Sequence, residues 1–142
     1  MALKKGELAA IVEDLRHIAL FASMSNADLT KLAKLGEPVD AIEGAVLMDQ
    51  GDVGVECFLV LEGEASVVIG GAQVVTIGAG SVVGEMALVG HKPRNASVIA
   101  RTPMRLLSFN IVAFRRLLDE MPQARDHIYL LLRERAAENQ AR

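Results

Sequence analysis

Between Pro38 and Asn110 the chain is a succession of short Val-, Ile- and Leu-rich runs, and glycine interrupts them before any reaches helical length. The runs are 45–48, 57–61, 64–69, 74–77, 96–100 and 104–109. β-branched residues suit a pleated, half-buried surface better than a helix. Gly70-Gly71 is a hairpin signal, because a two-residue turn of the right twist needs positive φ at both positions. Gly51-Asp52, Gly63 and Gly78-Ala79-Gly80 mark further turns, and Gly51, Gly63 and Gly80 are read as turn residues rather than binding residues. Many short strands with regular punctuation predict an antiparallel sandwich or barrel, and the pattern alone goes no further.

Helical periodicity flanks this region. Leu8, Ile11, Val12, Leu15 and Ile18 recur at helical spacing, with Glu13, Asp14 and Arg16 between them. This amphipathic helix either packs on the body of the domain or docks a partner or a second copy. His17 at its end is read as a surface residue. A second helix is expected from Ser25, a good N-cap, with Asp28 completing a weak capping box, Leu29, Leu32, Ala33 and Leu35 on one face, and Gly36 as the stop. Phe21 and Met24 ahead of it are expected in the core. After the strands, Asn110 caps a helix that buries Ile111, Phe114, Leu117, Leu118 and Met121. Pro122 ends it and opens a last helix to about Glu138, with Ala124, Ile128, Leu131, Leu132 and Ala136 on one side.

The stretch from Val83 to Ser97 carries the chemistry. Gly84 permits a tight bend and close approach to backbone, and Glu85 to Val89 can form one or two helical turns. A helix opening at a glycine presents free N–H groups and the positive end of its dipole, which suits an anion. Pro93 turns the chain back into extended backbone and brings Arg94 beside those groups, where a guanidinium can grip a phosphate through paired hydrogen bonds. Glu85 would repel a phosphate, so it neutralises a cation or accepts from a neutral donor such as a sugar hydroxyl. Taken singly, Arg94 would be read as bridging a surface acid and Glu85 as starting a helix. Their combination with the glycine and the small Ala96-Ser97 favours a site.

Gly84-Glu85-Met86-Ala87-Leu88 followed by Pro93-Arg94-Asn95-Ala96-Ser97 resembles the phosphate-binding cassette of cyclic nucleotide-binding domains, the modules of protein kinase A regulatory subunits, cyclic-nucleotide-gated channels and the catabolite activator protein. The resemblance covers roughly residues 21–135. It implies a mainly β fold with flanking helices: an antiparallel eight-stranded jelly-roll β-barrel, N-terminal helices and C-terminal B and C helices. The expected organisation is one domain, with helices over 1–36, the barrel with its cassette at 83–97 over 37–110, and helices over 111–142. The implied ligand is a 3′,5′-cyclic nucleotide. Arg94 pairs with its phosphate, backbone N–H groups around Met86, Ala87, Asn95 and Ala96 complete the cradle, and Glu85 accepts from the ribose 2′-OH. Val67, Val74 and Val83 are placed as apolar walls by strand position. Ile128, Tyr129, Leu132 and Arg133 either close over the base as a lid or only pack on the barrel or a neighbouring chain, and helical spacing does not choose. Two departures stand out: Val83 replaces a common aromatic residue, and Asn95 stands where cGMP binders often have Thr or Ser. The expected ligand is cAMP, with cGMP possible.

The remaining readings are exclusions. A chain of 142 residues is one domain with room for a core. It is 51% hydrophobic, yet no apolar run approaches the ~20 residues of a membrane span, and the N-terminus lacks a secretory signal's apolar region. The lone Cys57 excludes an internal disulfide and a Cys-based zinc site and fits a cytoplasmic setting. A net charge of −3 with signs interspersed argues against a nucleic-acid surface. Asp49, Asp52, Glu56, Glu62 and Glu64 do not follow a calcium-loop spacing and are read as solvated turn acids. His17, His91 and His127 are scattered and neither Ser97 nor Cys57 has a sequence-adjacent base, so no catalytic function and no cofactor is expected. The chain ends at Arg142, which leaves no room for a helix-turn-helix of the catabolite activator type. The expectation is a freestanding sensor or regulatory module that moves its C-terminal helices for an unknown protein partner, with a homodimer through the terminal helices possible. The alternative is an interaction domain of the same fold that binds no nucleotide.

Overall fold

The computed structural model describes residues 4–84 and 93–141, apart from the side chains of Leu20, His127, Leu131, Leu132 and residues 135–141. Helix α1 (Lys5–His17) and a 3-10 turn (Ala19–Phe21) lead to α2 (Asn26–Leu35). Eight strands follow: β1 (Glu37–Ala41), β2 (Val46–Met48), β3 (Glu56–Glu62), β4 (Ala65–Ile69), β5 (Ala72–Ile77), β6 (Val82–Val83), β7 (Ser97–Ala100) and β8 (Met104–Asn110). Helices α3 (Ile111–Glu120) and α4 (Pro122–Ala141) end the chain.

The strands form two four-stranded antiparallel sheets, ordered β1-β8-β3-β6 and β2-β7-β4-β5. Every consecutive pair of these strands except β4–β5 changes sheet, a jelly-roll feature. Gly70 and Gly71 form the β4–β5 turn with φ of 59° and 81°, the positive values the sequence requires there. β1 and β6 are the strands that the hydrophobic runs do not announce. β1 contains Pro38 and two acids, which an edge strand tolerates. β6 is two residues long and is held by Phe58 and Leu59 of β3.

Strand alternation makes two cores from one set of residues. Phe58, Val60, Val83, Val98 and Leu106 pack between the sheets. Cys57, Leu59, Leu61, Leu107 and Phe109 face the other way, where Ile11, Leu15, Phe21, Met24, Leu29, Leu32, Phe114, Leu117 and Ile128 cover them. The helices therefore clothe one face of the β1-β8-β3-β6 sheet. Two expected caps form: Ser25 Oγ accepts from Asp28 N at 3.1 Å and Asn110 Oδ1 from Ala113 N at 2.9 Å. No helix among the described residues is long and apolar enough to cross a membrane.

Candidate functional site

Arg94 is the centre of the site. It is 7% exposed, unusual for a residue so costly to desolvate. The backbone fixes it first. Arg94 N donates to Asp52 O at 2.7 Å, Gly51 N donates to Arg94 O at 2.8 Å, and Val53 bridges Pro93, so the loop after β2 runs antiparallel to the residues entering β7. The guanidinium then donates from Nη1 to Gly84 O at 2.9 Å and from Nη2 to Glu56 O at 2.6 Å. These two acceptors are backbone carbonyls, and together they fix the direction of the guanidinium.

Gly84 sits at the end of β6 with φ of 88°. A Cβ there would run into Arg94 Nη1 and lie 3.1 Å from Glu56 O. Glycine is needed for its dihedral and for the space that the guanidinium occupies. The N–H groups of Asn95 and Ala96 follow directly. Among the described residues no carbonyl or side chain takes them up. Ala96 is buried and Asn95 exposed.

Ser97 ties this corner to its neighbours. Its Oγ donates to Asp49 Oδ1 at 2.9 Å and accepts from Gln50 N at 2.9 Å, while Gln50 Oε1 accepts from Gly70 N at 2.9 Å. The end of β2, the start of β7 and the β4–β5 turn are thereby one hydrogen-bonded unit.

The structure thus brings Gly84, Arg94, Asn95 and Ala96 to one place, and Val83 and Val67 pack in the inter-sheet core behind it. Val74 is half-buried at the register shift of β5. Glu85, Met86 and Ala87 lie outside the described residues, as does the side chain of Leu132. Ile128 packs in the helical cluster on the outer face of the sheet, whereas Tyr129 and Arg133 are exposed. Glu56 corrects a sequence expectation. It is no solvated turn acid: it opens β3, is half-buried, accepts from Ser108 Oγ at 2.7 Å through its carboxylate and holds Arg94 through its carbonyl. The alternation Glu56-Phe58-Val60 was the available signal, since it turns Glu56 to the inner face.

Comparison with known proteins places the fold and the sequence. The family model described as the cyclic nucleotide-binding domain matches residues 40–121. A cAMP-dependent protein kinase regulatory subunit of Schizosaccharomyces pombe is 35% identical over 105 residues, covering 73% of this chain and 26% of that protein. A cyclic nucleotide-gated potassium channel of Rhizobium etli is 34% identical over 111 residues, covering 78% of this chain and 31% of that one. Among solved structures, a cyclic nucleotide-binding domain from Methylobacillus flagellatus superposes with a TM-score of 0.73 at 28% identity, covering 92% of this chain and 79% of that chain. The chain belongs to the cyclic nucleotide-binding domain family. It spans about a quarter to a third of the length of these curated relatives.

Proposed function

We propose that residues 1–142 form one non-catalytic sensor module that binds a 3′,5′-cyclic nucleotide, cAMP in the first place, and reports its occupancy to a protein partner. The observation that carries the reading is the buried Arg94 guanidinium, oriented by Gly84 O and Glu56 O with the Asn95 and Ala96 N–H groups beside it. A buried cation flanked by backbone donors is matched by a small anion, and a cyclic phosphodiester carries a single negative charge that these groups can share.

On this reading Arg94 makes charge-assisted bonds to the phosphate oxygens. Glu85 accepts from the ribose 2′-OH, with Met86 and Ala87 completing the backbone cradle. Val67, Val74 and Val83 wall the sugar and base. The pocket lies in an eight-stranded barrel closed by the cassette, and α3 and α4 are the B and C helices whose position the ligand biases, with Tyr129, Leu132 and Arg133 closing over the base. A ligand can shift such an equilibrium only by its difference in affinity for the two helix positions.

Calorimetric titration with cAMP and with cGMP tests the reading, with an Arg94→Ala variant shown by circular dichroism to be folded. Saturable binding that the variant loses supports it. Absence of binding to either nucleotide by folded, ligand-free protein overturns it and leaves an interaction domain of the same fold.

A further inference from the structure

The outer face of the β1-β8-β3-β6 sheet carries a cluster of charge at the margin of the apolar packing that covers it. Arg105 on β8 is the direct cross-strand partner of Asp40 on β1 and of Glu62 on β3. Its Nε lies 3.7 Å from Asp40 Oδ1 and its Nη1 lies 3.7 Å from Glu62 Oε2. The two neighbouring strands therefore already supply two carboxylates to one guanidinium. Helix α1 adds a third, Asp14, whose Oδ2 is 3.8 Å from the same Nη1. That oxygen is buried and, among the described residues, receives no hydrogen bond.

Three carboxylates around one guanidinium leave an excess of two negative charges when all are ionised. Asp14 Oδ2 and Glu62 Oε2 both approach the same Nη1, and like charges so placed favour a proton on the less exposed of the two, Asp14. We propose that this cluster is a proton-operated latch for α1: a proton on the Asp14 carboxyl relieves the crowding of carboxylates around Arg105 and keeps the helix down on the end of β3, and its loss toward alkaline pH loosens the helix.

The groups facing Asp14 are Glu62 from β3, Arg105 from β8 and, on α1 itself, His17, with Asp40 of β1 acting through Arg105 and Glu13 next to Asp14 in sequence and 3.6 Å from the His17 ring. Burial is the chief influence and pushes the Asp14 carboxyl up to about 6; the neighbouring Glu62 carboxylate acts in the same direction, while Arg105 and His17 pull the other way. Because the value is raised in the docked state, the stabilising effect is complete below the ordinary carboxylate range and is lost as pH rises through about 6. Ile11 and Leu15 are buried under α1 and hold it at every pH, so the proton adjusts how often the helix opens rather than whether it docks.

The test is amide hydrogen exchange of the ligand-free full chain at pH 5 and pH 8, corrected for intrinsic exchange rates, together with a carboxyl 13C titration of Asp14. The expected result is a midpoint near 6 and protection of α1 amides that falls roughly tenfold relative to the β8 amides; the full two-unit displacement would give about 100-fold, reduced here by solvent screening. Asp14→Asn, which carries no titrating proton, is expected to abolish this pH dependence, and Glu62→Gln to diminish it. A midpoint near 4, protection of α1 that does not change with pH, or an undiminished change in the folded Asp14→Asn variant would each overturn the latch.

Discussion

Arg94 has two jobs that two measurements separate. It is proposed to hold the ligand phosphate, and it donates to the carbonyls of Gly84 and Glu56. Arg94→Ala is expected to weaken cyclic nucleotide binding by about 100-fold, because a charged hydrogen-bonding partner of the anion is removed. It should also cost about 1–3 kcal/mol of stability, since two partly buried acceptors lose their donor; urea denaturation reads that term and calorimetry the first. Arg94→Lys keeps the charge but cannot bridge both carbonyls from one planar group, so it should recover only part of the affinity. Gly84→Ala is expected to destabilise by more than about 1 kcal/mol, because its φ of 88° disfavours a side chain and its Cβ would displace the guanidinium. Gly84 and Arg94 were legible in the sequence, as their conformational and charge properties are local. Glu56 was not, because its importance lies in a carbonyl direction and in Ser108, both set by tertiary pairing.

The elements divide in the same way. Helix starts were legible wherever a side chain closes the first turn, as at Ser25 and Asn110, because a cap is a bond between residues three apart. Replacing either by Ala is expected to cost about 1 kcal/mol in a urea melt. The strands with continuous apolar runs were legible too, with ends displaced by a residue or two. β1 was hidden because its residues are chosen for an edge, and the two-residue β6 because its existence depends on Phe58 and Leu59 of another strand. The charge cluster under α1 was invisible for the same reason: Asp14, Asp40, Glu62 and Arg105 come together only through strand register. α2 and α3 show the ordinary alternative. There Arg116 and Lys31 share Glu120, with Lys31 Nζ at 3.1 Å, and their hydrogen bonds hold that carboxyl below its usual range. With cations in excess that carboxyl is not driven to take up a proton, so Asp14 and not Glu120 is where pH should be felt. In a stability profile Asp14→Asn should gain up to about 1 kcal/mol over wild type at pH 8 and nothing at pH 4, after discounting for screening.

At the scale of the molecule, β8 and β3 are the partition between the two cores, so in the proposed function a change at the Arg94 corner would reach the helices through two strands rather than through a chain of loops. Glu56 lies at one end of that partition and holds Arg94, while its immediate neighbour Cys57 faces the helices. The helical side also has room to respond. A cavity of about 20 Å³ lies between the sheet and the helices, lined by Phe21, Leu59, Val82, Phe114 and Ile128 among others. It could hold about one water by size, but among the described residues its lining offers only aliphatic and aromatic groups and the weakly polar Cys57 thiol, which disfavours a water there. Its wall joins the site directly, since Val82 is two residues before Gly84 on β6. Small voids forfeit dispersion contacts, so filling this one should be favourable where backbone and rotamer allow. Val82→Ile adds one methylene and keeps the β-branching that the strand prefers. It is expected to raise stability by about 0.5–1 kcal/mol in urea. If the proposed helix movement uses this space, the same variant will shift the calorimetric affinity while leaving every phosphate contact in place, and unchanged affinity in a stabilised variant would uncouple the cavity from the ligand response.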